Sequence, residues 1–252
     1  MRWVTRRQTV LAMLLLCAPA LRAEVAAPLQ IVTGDLPPYA IEGQPQRPGL
    51  HVEVVEQVLR RAGYPVKVGF YPWARAIALT QHTSHTAILP LTRTPEREPH
   101  FTWLMKLDTQ HFVFINRHGD TPVTSLDQAR KLRIAVLRGS PNLAQLLNRQ
   151  FAESQIVQTT KVEDMLRLLE HGMVDAVYGG NVINMEKIRA SGRNPASFQF
   201  GMLVESADMW LAGGRGFGEA EQAAWRQAYD AMLKDGSLAR IYRSYGLPPP
   251  GP

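Results

Sequence analysis

A short polar stretch near residue 95 has the residue types and spacing best suited to ligand chemistry. Residues 86–91 form the apolar run TAILPL, which predicts a buried strand, and TRTPER follows directly at residues 92–97. A hydroxyl, a proline and an acid at residues 94–96 are residue types that begin a helix. Arg97 is not explained in this way, because a cation in the first turn opposes the helix dipole.

Two kinds of partner would suit Arg97. Proteins of the α/β class bind ligands where a parallel strand ends and a helix begins, and the planar guanidinium fork matches a carboxylate. The alternative is an ion pair at the protein surface. The pattern of residues leaves both open.

The rest of the chain predicts the elements that would position this stretch. Apolar and β-branched runs predict strands at 29–33, 66–71, 86–91, 111–115, 132–137, 155–158 and 174–178. Helical patterns lie between most of them, at 52–62, 72–80, 141–151, 162–171 and 181–190. Alternating strands and helices indicate an α/β fold.

The N-terminus has the pattern of a secretory signal peptide. Arg2, Arg6 and Arg7 precede a short apolar run at 10–18, and small residues allow cleavage after Ala20 or Ala23. We expect residues 1–23 to be removed, by either the general or the twin-arginine export route. The single cysteine would leave with them, and the formal charge of +6 would fall to +2 because four arginines and no acid are lost. A strongly basic nucleic-acid footprint is therefore not expected.

The stretch at 92–97 resembles the signature of the bacterial extracellular solute-binding proteins of family 3, the periplasmic receptors of polar amino-acid importers. That signature is a hydroxyl residue, any residue, threonine, two residues and arginine, and every fixed position is matched. Further similar stretches follow in the family's order, at 33–39, 49–55, 132–140, 174–177 and 232–242.

The resemblance implies the type II periplasmic binding protein fold, in which two α/β lobes are joined by two crossing strands with a ligand cleft between them. The crossings would be residues 111–117 and 207–213. Lobe 1 would comprise residues 24–114 and 207–252, and lobe 2 would comprise residues 115–206.

The resemblance also implies a set of site residues. Arg97 would hold a ligand carboxylate, Thr92 would add a hydroxyl, and Tyr39 would line the mouth of the cleft. Ser140, with Gly139 before it, would offer backbone donors at the start of a lobe 2 helix.

The sequence departs from the family pattern in three places. The acid that usually grips a ligand ammonium after the Val-Asp-Ala strand is missing from residues 178–181, which read YGGN. Pro141 replaces a threonine, and Leu36 replaces an aromatic residue. These departures disfavour an ordinary amino-acid importer.

Four further residues have a ligand-binding interpretation and a structural one. Trp73 and Arg75 would supply a stacking surface and a second cation, or else a core tryptophan and a solvated arginine. Tyr178 and Asn181 would meet the ligand from lobe 2, or else serve only as turn residues.

We therefore expect a monomeric periplasmic solute-binding protein that captures a small carboxylate-bearing ligand, amino acid-like or an organic acid, and delivers it to an ABC-type importer or a receptor. No metal, cofactor, nucleic acid or catalysis is expected. One alternative is an enzyme resembling periplasmic cyclohexadienyl dehydratase, which would need a general acid such as Glu205 or Asp208. A second alternative is a ligand-sensing accessory protein for a membrane signalling partner.

Overall fold

The computed structural model describes residues 28–249. The predicted signal peptide lies outside this range. The strands are β1 (Gln30–Thr33), β2 (Val68–Phe70), β3 (Thr86–Thr92), β4 (Thr102–Arg117), β5 (Ile134–Leu137), β6 (Ile156–Thr159), β7 (Ala176–Gly180) and β8 (Phe198–Gly213). The α-helices are α1 (Leu50–Arg61), α2 (Trp73–His82), α3 (Leu126–Ala129), α4 (Asn142–Leu147), α5 (Val162–Glu170), α6 (Asn181–Ala190), α7 (Glu219–Lys234) and α8 (Ser237–Ser244). Short 3₁₀ helices lie at Pro95–His100, Glu153–Gln155 and Pro195–Ser197.

The eight strands form one continuous sheet in the order β2-β1-β3-β8-β4-β7-β5-β6. At one end β1 pairs in parallel with β2 and β3, and at the other end β5 pairs in parallel with β6 and β7. The antiparallel pair β4 and β8 joins the two parallel halves. Each half with its helices forms a lobe, so the expected two-lobe α/β fold is confirmed.

The two connecting strands are longer than the sequence predicts. Each has 16 residues, and their pairing runs from Thr102 opposite Gly213 to Arg117 opposite Phe198. The predicted crossings at 111–117 and 207–213 are thus halves of two long strands. The register shifts at four points along this pair, which is consistent with strands that bend between two lobes. The lobe boundaries drawn from the sequence remain a prediction.

Helix α1 shows how local sequence specifies the core of the first lobe. Val54, Val55, Val58 and Leu59 recur on one face and are fully buried, as an amphipathic helix requires. Gly49 precedes the helix at φ 110°, and a Cβ there would lie 2.6 Å from the carbonyl oxygen of Tyr39. Only glycine fits this entry into the helix.

A second apolar cluster lies in the other lobe and includes residues of the carboxyl half of β4. Its buried members include the large side chains Phe112, Phe114, Phe151 and Tyr178. Within residues 28–249 no helix is long and apolar enough to cross a membrane. The same residues contain no group of three or more side chains placed to hold a metal ion.

A buried histidine in the first lobe gives a testable pH dependence. His51 is fully buried, stacks on Tyr39 with ring centroids 4.3 Å apart, and has no hydrogen-bond partner on either ring nitrogen. Burial lowers the pKa of His51, and the carboxylate of Asp108, 3.9 Å from Nε2, opposes this only in part.

A lowered pKa in the folded state means that the unfolded chain binds the proton more tightly, so stability falls as the pH drops below about 6.5. We expect His51→Leu to flatten this fall by up to about 1.4 kcal/mol per pH unit, the value for one proton. Urea unfolding of both proteins between about pH 5 and 8 measures it, across the usual histidine pKa. If the free energies of unfolding of the two proteins changed in parallel with pH, the lowered pKa of His51 would be contradicted.

Candidate functional site

A small cavity lies where the two lobes meet. Its volume is about 40 Å³, room for only a few water molecules. Its polar lining consists of Thr92, Gln110, Ser140, Asn142 and Asn184, and apolar side chains, prolines and glycines complete the wall. No charged side chain of residues 28–249 lines it. The lobes must separate before a solute the size of an amino acid can enter.

A wider groove of about 750 Å³ adjoins this cavity. The two spaces share Leu36, Trp73, Leu137 and Val162 as lining residues. These side chains come from both lobes, so separation of the lobes would join cavity and groove. The groove therefore gives a solute a route to the interior.

Arg97 lies at the junction of the lobes and contacts Thr92 of the cavity wall, but it does not itself line the cavity. The predicted helix start is the 3₁₀ helix Pro95–His100. This helix places the Arg97 guanidinium next to Thr92, the last residue of β3. One guanidinium nitrogen donates to the carbonyl of Thr92 at 2.7 Å, and another donates across the lobes to the carbonyl of Gly139 at 2.8 Å. Desolvation lowers the pKa of Arg97 to about 10.

Arg97 forms no ion pair within the described part of the chain. Its neighbour Arg93 pairs with Glu98 instead, at 2.6 Å. The sequence allowed a surface ion pair for Arg97, but in the structure Arg93 forms such a pair. Arg97 keeps a desolvated positive charge whose hydrogen-bond partners are neutral carbonyl groups, and the carboxylate of Glu96 offsets the desolvation only in part.

A second polar contact joins the lobes through α6. The Lys187 ammonium on α6 binds the carboxylate of Asp35, which follows β1, and the carboxylate of Glu163 on α5. We call these three residues the Lys187 bridge. The lysine side chain is 7% exposed, whereas those of Asp35 and Glu163 are 34% and 35% exposed. The bridge connects a lobe 1 loop with two lobe 2 helices.

Direct packing also holds the lobes together. Gly139 has φ 80°, and a Cβ there would lie 3.2 Å from the Cα of Ala74 on α2. Asn148 reaches Glu96 across the same junction at 3.4 Å. The turn after β5 therefore docks closely on α2, and the structure represents a closed arrangement.

Three of the predicted site residues line the cavity. Trp73 begins α2 and is 6% exposed, Thr92 ends β3, and Ser140 precedes α4. The Ser140 hydroxyl donates to the carbonyl of Leu137 at 2.6 Å and accepts from the main-chain nitrogen of Asn142 at 3.3 Å. The Ser140 side chain therefore organises the turn as well as lining the cavity.

Four predicted site residues lie elsewhere in this closed arrangement. Tyr39 is in the lobe 1 core against His51, and Tyr178 is buried beside Phe114 in the second apolar cluster. Arg75 is exposed, with its guanidinium 5.4 Å from the centre of the Tyr71 ring. Asn181 is the first residue of α6, and its side-chain oxygen accepts from the adjacent Val182 nitrogen at 2.8 Å. None of the four lines the cavity, so their predicted ligand contacts gain no support from the closed arrangement.

The sequence interpretation missed Gln110, Asn142, Asn184 and the Lys187 bridge. Asn184 and Lys187 are three residues apart on α6 and both are buried, although neither residue type is usually buried. An asparagine and a lysine at helical spacing were therefore a weak signal of a polar interior face. Nothing local to Asn142 or Gln110 distinguishes them from surface amides.

Similar proteins are known by sequence pattern and by structure. Residues 29–155 match the family model for bacterial extracellular solute-binding proteins, family 3. No curated protein sequence matches the chain significantly. A histidine kinase sensor domain with similarity to periplasmic binding proteins has a TM-score of 0.79 at 20% identity, over 88% of this chain and 98% of that chain.

Two ligand-binding proteins have similar scores. The arginine-, lysine-, histidine-binding protein ArtJ from Geobacillus stearothermophilus has a TM-score of 0.75 at 17% identity, over 88% of this chain and 96% of that chain. The GluR0 ligand-binding core from Nostoc punctiforme, in complex with L-glutamate, has a TM-score of 0.74 at 16% identity, over 86% and 99% of the two chains. At such identities the likeness shows the fold alone. The family model, however, spans just over half of the sequence, and the chain belongs to the bacterial extracellular solute-binding proteins, family 3.

Proposed function

We propose that this protein is a periplasmic solute-binding protein that closes its two lobes around a small carboxylate-bearing ligand and delivers it to a membrane partner. The observation that carries the proposal is Arg97, a desolvated cation between the lobes with two carbonyl partners and no carboxylate partner in the described chain. The predicted signal peptide at residues 1–23 supports export to the periplasm.

A ligand carboxylate would supply the anion that Arg97 lacks. A desolvated charge is unfavourable unless it is paired, and a bidentate arginine–carboxylate pair is among the strongest hydrogen-bonded pairs. Arg97 comes from lobe 1 and reaches Gly139 in lobe 2. A carboxylate bound there would contact both lobes, and it would therefore stabilise the closed state over the open one.

The membrane partner is an ABC-type importer or a receptor. Structural neighbours that bind amino acids support the first, and the neighbour that is a histidine kinase sensor domain supports the second. In both cases the closed, ligand-bound form would be the one recognised.

The alternative of a dehydratase-like enzyme lacks an acid at the cavity. Glu205 accepts from Gln145 and Arg149 within lobe 2. Asp208 binds Lys106 at 3.0 Å and accepts from the Thr109 hydroxyl at 3.0 Å. Neither acid lines the cavity, so neither of these two residues is placed there as a general acid.

A thermal-shift screen of the purified protein tests the proposal. The protein is first unfolded and refolded to remove bound solutes, and it is then screened against organic acids, amino acids, dicarboxylates and their uncharged amides. Ligand at 100 times its Kd adds about 2.7 kcal/mol of stability, which raises Tm by roughly 5–10 °C for a chain of this size. Shifts restricted to carboxylates support the proposal, and equal shifts with the amides would contradict it.

A further inference from the structure

Four buried amides of lobe 2 carry an oxygen with no hydrogen-bond partner within residues 28–249, and two of them, Asn142 and Asn184, line the interlobe cavity. Asn142 begins α4 and Asn184 lies in α6, and they are 3% and 1% exposed. The Oδ1 atom of each has no hydrogen-bond partner within residues 28–249. A buried acceptor left in this state costs about 1–3 kcal/mol, and unlike Asn116 and Gln145 these two amides line the space in which a ligand can supply the donor.

The orientation of each amide is fixed by its neighbours. The Nδ2 of Asn142 donates to the carbonyl of Tyr178 at 2.8 Å, and the Nδ2 of Asn184 donates to the carbonyl of Gly180 at 2.8 Å. A main-chain carbonyl can only accept, so neither amide can be turned around without placing two oxygens against each other. The oxygens are therefore the atoms left for a ligand.

The end of β7 brings the two amides together. A Cβ on Gly179 would lie 2.9 Å from the Nδ2 of Asn184 and 3.4 Å from the Nδ2 of Asn142. The glycine lets both side chains approach one point of the chain. The two amides therefore lie next to the end of β7, where residues 178–181 contain no acid.

The charge of the lining restricts what can bind to this pair. No acid of the described residues lines the cavity, and an ammonium ion enclosed without a counter-ion is strongly disfavoured. A hydroxyl or a carboxamide N–H brings a donor without a charge. Neutral donors thus satisfy both oxygens at a lower desolvation penalty.

We infer that Asn142 and Asn184 form a subsite for a neutral hydrogen-bond donor, and that the ligand is a carboxylate with a hydroxyl or amide group, not an α-amino acid. The inference rests on the proposed function for its carboxylate. On this inference Asn142 and Asn184 in lobe 2 select a hydroxyl over an ammonium group, whereas Arg97 in lobe 1 binds only the carboxylate.

Three matched acids that differ in one substituent test the inference by isothermal titration calorimetry on the purified protein. The small set is lactate, alanine and propionate, and the larger set is 3-phenyllactate, phenylalanine and 3-phenylpropionate. In at least one set the hydroxy acid should bind about tenfold or more tightly than both other members, since a site built to bond a hydroxyl rejects analogues that lack it.

Two matched variants reverse or remove the preference. Asn184→Asp adds a carboxylate at nearly unchanged volume, loses the hydrogen bond to the Gly180 carbonyl, and should shift the preference toward the amino acid by about tenfold or more. Asn184→Leu should weaken the hydroxy acid more than the unsubstituted acid, so that the ratio of their affinities falls toward one. If neither Asn184 variant folds, Asn142→Asp and Asn142→Leu take their place.

The outcomes separate the two proposals. If the amino acid is the tightest ligand of the wild-type protein in both sets, the neutral-donor subsite is overturned while the carboxylate proposal stands. Equal binding of all three acids overturns the subsite in the same way. If no carboxylate of either set or of the thermal-shift screen binds, both the proposed function and the subsite are overturned.

Discussion

Replacing Arg97 with alanine is expected to weaken carboxylate binding by about 30-fold to several thousand-fold, or roughly 2–5 kcal/mol. The guanidinium is desolvated at the lobe junction, where a charge pair is strong because little water screens it. The variant also loses the hydrogen bond from lobe 1 to the Gly139 carbonyl. Both losses weaken the closed, ligand-bound state.

Titration calorimetry with the tightest acid from the screen measures this effect, and two variants sharpen it. Arg97→Lys keeps the charge but loses the fork, so its affinity should fall between those of the wild type and the alanine variant. Arg75→Ala is the matched control, because Arg75 is exposed and stacks on Tyr71. A folded Arg97→Ala protein that binds within about tenfold of wild type, a change of 1.4 kcal/mol, would remove Arg97 as the anchor.

Replacing Lys187 with methionine is expected to open the lobes and to weaken ligand binding about 5- to 150-fold. The variant removes the attraction between lobe 2 and Asp35, and it leaves the carboxylates of Asp35 and Glu163 facing each other without a cation. Their repulsion acts only while the lobes are closed. Because both carboxylates are about one-third exposed, we expect about 1–3 kcal/mol, less than for a fully buried pair.

Small-angle X-ray scattering and titration calorimetry together measure this second effect. The ligand-free variant should have a larger radius of gyration than the wild type. Asp35→Asn and Glu163→Gln are a matched pair, because each removes one carboxylate but only Asp35 bridges the predicted lobes. Asp35→Asn should weaken binding more than Glu163→Gln. Equal effects of the pair, or an unchanged radius for Lys187→Met, would mean that the Lys187 bridge does not control closure.

Local patterns predicted most of the helices and strands that build the lobes. The predicted strand at 86–91 corresponds to β3, in which every residue is buried, and the predicted helix at 181–190 has the bounds of α6. These elements bury one face or both, so their apolar residues recur with the period of the element. The first half of β4 escaped prediction because Lys106, Asp108 and Gln110 interrupt its apolar pattern.

Long strands that connect lobes are difficult to recognise for a physical reason. Strand β4 buries Leu104, Met105 and Leu107 in its first half, is partly or fully exposed at residues 108–111, and is buried on both faces at residues 112–116. No single period of apolar residues therefore runs through the strand, and its register shifts are consistent with bends. Strand β8, with a half-exposed middle section, has the same character.

The sequence by itself determined the α/β class, the family signature at 92–97, the need of Arg97 for a partner and the lack of an acid after β7. Each of these depends on residues close together in the chain. The tertiary structure alone decided that Tyr39 packs in the core, that Asn142 and Asn184 share a cavity, and that Lys187 meets Asp35, 152 residues away. Periodicity specifies which face of an element is buried, but not which face of another lobe will lie against it. The contacts that select a ligand and close the cleft form between the two lobes, so periodicity does not predict them.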